Sequence, residues 1–130
     1  MTELTDVQGL REQLRADLKT VMKARDAATV SALRTTLAAL DNAEAVVVSD
    51  ASARVSGAIA GAQSGVGSTE VSRRVLSLAE MRAILETQVA ERVSAAADYK
   101  RLGRDDESER LRQEADVVRR YLDLLTADSA

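Results

Sequence analysis

Aliphatic residues recur every three or four positions over most of this chain, the spacing that places side chains on one face of an α-helix. The first such run predicts a helix over Gln8 to Lys23, with Asp6 as its N-cap. Its apolar positions are Leu10, Leu14, Leu18, Val21 and Met22. The second run predicts a helix from Ala27 to about Val48, with Asp26 as its N-cap. Its apolar positions are Val30, Leu33, Leu37, Leu40 and Val47.

The break between these two helices, Arg25-Asp26, is short. Short connections favour antiparallel neighbours, so the two helices are expected to form a hairpin. A single bent helix is the alternative, because no strong helix breaker separates the two runs.

Four of the six glycines lie between Ser49 and Ser68, where the apolar spacing is lost. Gly lowers helix stability by about 1 kcal/mol per interior position relative to Ala. The segment is therefore predicted to be a flexible linker inside the domain. The alternative is a helix in which Gly57, Gly61 and Gly65 form a small-residue face, although that pattern acts chiefly in apolar membrane helices.

The third helix has the clearest start signal in the chain. Ser77 and Glu80 fit a capping box, and the apolar residues on either side, Leu76 and Met81, are placed to form a hydrophobic staple. The helix is expected to end at Gly103, which can adopt the left-handed conformation that terminates helices. Its apolar positions are Met81, Leu85, Val89, Val93, Ala96 and Leu102.

A fourth helix is predicted from Asp106, with Glu109 completing a second capping box. Its apolar positions are Leu111, Ala115, Val118, Leu122 and Leu125. Residues from Thr126 onward are expected to be frayed. Two hairpins joined by a linker predict an all-α fold, a helical bundle of about four helices, in one domain over residues 1–130.

The composition excludes several classes of chemistry. The 130 residues include no His, Cys, Trp, Phe or Pro, and the only aromatic residues are two Tyr. Without Cys and His, the chain has no conventional zinc site, no Glu-x-x-His di-iron site and no Ser-His-Asp or Cys-His catalytic device. Two tyrosines are too few for a stacking platform for single-stranded nucleic acid. We therefore expect no metal, no cofactor and no catalytic residue.

The charge and hydropathy of the chain restrict its expected partners and location. With 18 Lys+Arg against 21 Asp+Glu the net charge is −3, so the whole surface does not attract nucleic acid or anionic membrane strongly. The chain has no run of about twenty apolar residues, which is the length that a helix needs to span a bilayer. The start of the chain is polar and acidic, unlike a secretory signal, so a cytoplasmic location is expected.

Seven basic residues are candidates for binding. Arg11, Arg15, Lys19 and Lys23 recur every four residues and form a basic stripe on the first helix, which could follow a phosphate backbone or an acidic partner, or be a solvated face. Two further arginines, Arg34 and Arg92, adjoin apolar positions and are expected to form structural ion pairs or to contact a ligand. Arg104 opens a turn followed by acidic residues that suit a helix start, and it is the last candidate.

Three stretches together resemble the GatB/YqeY family. Leu14 to Leu40 is similar to the family's "DLKxAMKxxD…LxxLRxxxAA" run. Leu76 to Arg92 is similar to "LT-x-x-E…L…V-x-x-R", and Tyr99 to Leu122 to "Y-x-x-A-GR-x-D-x-x-x-x-E…E…YL". The matching residues of the first and third stretches are Asp17, Leu18, Lys19, Met22, Lys23, Asp26, Leu33, Arg34, Ala38, Ala39, Tyr99, Gly103, Arg104, Asp106, Glu109, Glu114, Tyr121 and Leu122.

The chain also departs from the family pattern. Tyr121-Leu122 is followed by Asp123, where the family has Pro and a second helical subdomain, so the resemblance is to a short form of the domain. Ala95 stands where the family often has Ser, and the Gly-rich segment replaces a shorter connection.

The resemblance implies a link to tRNA. In the family this domain is the tail of the GatB protein of the glutamine-dependent tRNA amidotransferase, where it handles tRNA, and the family label is carbon–nitrogen ligase activity with glutamine as amido donor. We expect an accessory or binding module that is not catalytic by itself. Its expected partners are tRNA or a translation-linked protein. The alternatives are a self-associating structural protein, which would form homo-oligomers, and a non-catalytic partner of an amidotransferase.

Overall fold

The computed structural model describes the backbone of residues 4–58 and 75–127 and the side chains of residues 4–45 and 75–125. These residues form four α-helices and no strand, which confirms the expected all-α fold. The helices are α1 (Val7–Lys23), α2 (Ala27–Ala58), α3 (Leu78–Arg101) and α4 (Asp105–Ala127). None of these four is long and apolar enough to cross a membrane.

Three predicted helix starts are confirmed by side-chain caps. The carboxylates of Asp6 and Asp26 each accept the backbone N–H of the residue three positions further on, at 2.7 and 3.2 Å. Ser77 and Glu80 form the reciprocal capping box, with distances of 3.1 and 2.9 Å. Each cap satisfies amide groups that have no acceptor within the first helical turn, so these starts are fixed by local sequence.

The second helix is longer than its apolar pattern predicts. α2 continues past Val48 to Ala58, so residues 49–58 of the expected linker are helical, Gly57 among them. Extending an existing helix adds one hydrogen bond per residue, and a single Gly costs only about 1 kcal/mol. The remaining part of the expected linker, residues 59–68, lies outside the described residues.

The fourth helix begins at Asp105, so the predicted start at Asp106 is wrong by one position. The N–H of Ser108 donates to the carbonyl of Arg104 at 3.1 Å, which makes Arg104 the N-cap residue. Asp106 therefore lies within the first turn, and it does not form the expected capping box with Glu109. Its carboxylate instead belongs to an acidic first turn that interacts favourably with the helix dipole.

Gly103 ends α3, as its position predicts. Its φ is 77°, in the left-handed region that favours glycine. The N–H of Gly103 donates to the carbonyl of Lys100 at 3.1 Å, and that of Arg104 donates to the carbonyl of Tyr99 at 2.8 Å. These two hydrogen bonds form a Schellman motif and satisfy carbonyls of the last turn.

The end of α1 has the same hydrogen bonds but a different residue. The N–H of Arg25 donates to the carbonyl of Met22 at 3.2 Å, and that of Asp26 donates to the carbonyl of Val21 at 3.1 Å. Arg25 occupies the position equivalent to Gly103, with a φ of 59°, and no other non-glycine residue of the described chain has a positive φ. The left-handed conformation costs an L-residue roughly 1–2 kcal/mol.

The helices pack as two antiparallel hairpins, α1–α2 and α3–α4, as expected. The α3–α4 pair has the most extensive contact, and the first hairpin joins it mainly through α2 against α4. The buried core consists of Leu4, Val7, Leu10, Leu14, Ala32, Leu33, Leu40, Leu76, Met81, Leu85, Val117, Val118, Tyr121 and Leu125.

Three of the predicted apolar positions are instead exposed. Met22 is 47% exposed, Val93 is 42% exposed and Leu102 is 71% exposed. On α3 the buried face passes through Arg92 instead of Val93, and on α1 it includes Arg11. The apolar spacing therefore gives the helices correctly, but it does not show that four charged residues, Arg11, Glu44, Arg92 and Glu114, are buried as well.

Candidate functional site

Arg11, the first residue of the predicted basic stripe on α1, is not part of the exposed surface. Arg11 is only 7% exposed, and its Nη2 donates to Oδ1 of Asp41 at 2.6 Å and to Oε1 of Glu44. The hydrogen bond to Glu44 is the main cause of a raised pKa for Arg11. Arg11 is thus a structural link between α1 and α2, and Arg15, Lys19 and Lys23 are the exposed members of the stripe.

Arg92 also forms a structural ion pair, one of the two roles expected for it. Its Nε donates to Oε1 of Glu114 at 3.1 Å, and both residues are buried. Its Nη1 donates to the carbonyl and the side-chain oxygen of Gln88, at 3.1 and 2.8 Å, and its Nη2 donates to Oγ1 of Thr35. The buried guanidinium therefore connects α3 to α4 and α2.

Arg104 lies at the turn between α3 and α4. Its guanidinium carbon lies 5.4 Å from the centre of the Tyr99 ring, within the range of a cation–π interaction, and its Nη2 pairs with Glu107. These contacts occupy Arg104 and cover one face of Tyr99.

Arg34 lies in a groove that two further arginines share. The groove has a volume of about 660 Å³ and lies between the α1–α2 turn, α2 and α4. Its lining residues are Met22, Arg25, Ala27, Val30, Ser31, Arg34, Thr35 and Arg110. We call it the arginine groove, after the exposed side chains of Arg25, Arg34 and Arg110.

The arginine groove has an excess of positive charge. No carboxylate is among the described residues that line it. Arg110 has its Nε 3.6 Å from Oε2 of Glu114, but the other oxygen of that carboxylate already accepts from Arg92. One carboxylate thus faces two guanidiniums, and the described residues give neither Arg25 nor Arg34 an acidic partner.

Arg34 does not form the ion pair that was one expectation for it. It is exposed, and its Nη2 approaches the sulfur of Met22 at 3.9 Å. Arg25 and Arg110 were not among the candidates, because the three arginines come from a turn and two helices that only the fold brings together. The available sequence signal was an Arg at a helix end where Gly or Asn would be usual.

A second, smaller cavity of about 270 Å³ lies between α1, α2 and α4. The hydroxyl of Tyr121 donates to Asp17 at its edge, and the same carboxylate accepts from Gln13 at 3.0 Å. The pKa of Tyr121 is raised, chiefly by burial and then by the hydrogen bond to Asp17. Tyr121, Asp17 and Gln13 satisfy each other, so the remaining polar residues of the lining are Thr20, Thr29 and Arg120.

Within the described residues, no group of three or more acidic, His or Cys side chains could hold a metal ion. In comparisons with known proteins, no family model, no curated protein and no solved structure matches this chain. The arginine groove is therefore the feature from which a function is argued.

Proposed function

We propose that this chain is a non-catalytic helical binding module that contacts the phosphate backbone of tRNA through the arginine groove. The observation that supports this most directly is the convergence of Arg25, Arg34 and Arg110 on one groove with no carboxylate in its described lining. Guanidinium groups bind phosphate oxygens with paired, charge-assisted hydrogen bonds. A local patch of this kind can bind a polyanion although the net charge of the chain is −3.

The choice of tRNA comes from the sequence resemblance to the GatB/YqeY family. Two residues of the arginine groove, Met22 and Arg34, are among the residues that match the pattern of the family's helical start. The proposal includes the cytoplasm as the compartment, because tRNA is found there. It assigns no amidotransferase chemistry to this chain.

Binding is expected to depend on phosphates and not on base identity. No aromatic side chain is among the described residues of the groove, so bases have no ring to stack on there. Tyr99 has one face against Arg104, and Tyr121 is buried. The proposed contact is therefore weak, sensitive to salt and tolerant of RNA sequence.

The test is fluorescence anisotropy with labelled tRNA at several salt concentrations. The three arginines neutralise between one and three phosphates, so log affinity should fall against log salt with a slope between about −0.7 and −2, at roughly −0.7 per phosphate. Arg34→Glu should abolish measurable binding. Arg112→Glu is the matched control, because Arg112 is an exposed arginine of α4 outside the groove and its reversal changes the net charge equally.

Two results would overturn the proposal. One is an equal loss of binding in both variants, which would mean that the affinity for tRNA depends on net charge and not on the groove. The other is no binding of tRNA by the unaltered protein at low salt, in which case a protein partner becomes the better hypothesis. Circular dichroism of each variant checks that helix content is unchanged.

A further inference from the structure

Arg25 has a left-handed backbone conformation, with a φ of 59°, that glycine would adopt at lower cost. α1 and α3 end in the same Schellman hydrogen bonds, with Gly103 at the left-handed position of α3 and Arg25 at that of α1. A glycine at position 25 would form the same turn without the steric penalty on an L-residue. Strained backbone of this kind is found disproportionately at functional sites, so the side chain of Arg25 needs an explanation.

The Arg25 side chain has no structural role among the described residues. Arg25 is exposed, and the described part of the chain provides no hydrogen-bond or ion-pair partner for its guanidinium. The side chain instead lines the arginine groove together with Arg34 and Arg110. Arg11 and Arg92, by contrast, are buried between carboxylates and hydroxyl groups.

We propose that Arg25, Arg34 and Arg110 form a phosphate clamp and that Arg25 occupies its left-handed position in order to complete it. This rests on the proposed function, because the same groove is used, but it names the ligand chemistry: a phosphate group, either as free phosphate or pyrophosphate or as a phosphodiester of a nucleic acid backbone. Three guanidiniums around one polyanion explain an arginine at a helix end that favours glycine.

The clamp would also join the two hairpins. Arg25 and Arg34 belong to the α1–α2 hairpin, and Arg110 belongs to α4 of the second hairpin. A polyanion that is bound by all three arginines contacts both hairpins, and it can do so only when the bundle is folded. Ligands that bind the native state alone stabilise it and raise the melting temperature as their concentration increases.

The probe is inorganic pyrophosphate. Isothermal titration calorimetry measures its affinity, and thermal unfolding measures its effect on the melting temperature, with sodium chloride of equal ionic strength as the control. Pyrophosphate should raise the melting temperature, and Arg25→Gly should weaken its affinity about tenfold, the loss expected for one charge-assisted contact. The same substitution should raise the melting temperature of the free protein. Arg25→Lys keeps both the charge and the backbone penalty, and it should lose less affinity than Arg25→Gly.

Gly103→Arg is the reciprocal control, because a Cβ at Gly103 would meet no atom within 4 Å and its cost is limited to the backbone. It should lower the melting temperature and leave pyrophosphate affinity unchanged. Unchanged affinity in Arg25→Gly would overturn the clamp even if tRNA binds. If pyrophosphate binds as described but tRNA does not, the clamp stands and the proposed function fails; if tRNA binds and pyrophosphate does not, the reverse holds.

Discussion

The hydroxyl of Tyr121 donates a hydrogen bond to Oδ2 of Asp17 at 2.5 Å, across 104 positions of sequence. The contact joins α4 to α1, two helices that otherwise meet little. It is also one of the few polar contacts between the two hairpins, and its acceptor is a carboxylate. Hydrogen bonds to charged groups are among the stronger ones in proteins, so this pair should matter for stability.

Tyr121→Phe should lower the free energy of unfolding by about 1.5–3 kcal/mol, because it removes a hydrogen bond to a charged acceptor and keeps the buried ring. Urea denaturation followed by circular dichroism measures this. Tyr99→Phe is the matched control, since no hydrogen bond of the Tyr99 hydroxyl is among the described contacts, and it should change stability by less than about 0.5 kcal/mol. Equal effects of the two substitutions would contradict the structural role of the Tyr121 hydroxyl.

The same tyrosine predicts a dependence on alkaline pH. Its pKa in the folded protein is raised above the usual value of about 10. Above that pH the unfolded chain releases a proton that the folded protein retains, so the contribution is complete below about pH 10 and declines as pH rises further. Tyr121→Phe should show a shallower decline in urea midpoint between about pH 9 and 11. Parallel declines in the two proteins would show that other groups are responsible.

Arg92→Met should lower the free energy of unfolding by about 3 kcal/mol. The substitution leaves the carboxylate of Glu114 buried with only Arg110 near it, at 3.6 Å, and uncompensated buried charge is costly. Arg119→Met is the control, because the Arg119–Asp116 pair is about half exposed and should contribute less than about 1 kcal/mol. A small effect of Arg92→Met would contradict the structural role of the Arg92–Glu114 ion pair.

Gly103→Val should lower the free energy of unfolding by more than about 1 kcal/mol. Nothing lies within 4 Å of a Cβ at this position, so the cost comes from placing a β-branched residue at a φ of 77°. Leu102→Val, at the neighbouring exposed position with a φ of −84°, should change stability by less than about 0.5 kcal/mol. An unchanged urea midpoint for Gly103→Val would argue against the left-handed end of α3.

The exposed part of the basic stripe separates two routes for tRNA binding. If the arginine groove is the binding site, the double substitution Arg15→Glu, Lys19→Glu should weaken tRNA binding less than Arg34→Glu does, although it reverses twice as many charges. Helix content should be unaffected, because both residues are exposed on α1. Anisotropy titrations of the two variants at the same low salt make the comparison. Complete loss in the double variant alone would place the contact on α1.

Local signals in the sequence predict the helix starts well. The caps at Asp6, Asp26 and Ser77 depend on residues within three positions, and all three are confirmed. The end of α2 was mispredicted, because no strong stop signal is present and extension of a helix is favourable.

The site was less predictable than the fold, for reasons of distance along the chain. Whether Arg11 is a surface residue depends on Glu44, 33 positions away, and the role of Arg92 depends on Glu114, 22 positions away. Periodicity places each arginine beside an apolar face but does not say which acid meets it. The arginine groove requires residues from three separate elements, so only the packed structure brings Arg25 and Arg110 to Arg34.

The unequal contact between helices has a consequence for the order of folding. The α3–α4 hairpin combines the most extensive packing with contacts between residues close in sequence, and such contacts lose little chain entropy when they form. We expect this hairpin to be ordered in the transition state, with the first hairpin docking onto α4 afterwards. Substitutions that weaken the contact between α3 and α4 should therefore slow folding, whereas loss of the contact between Tyr121 and Asp17 should mainly accelerate unfolding.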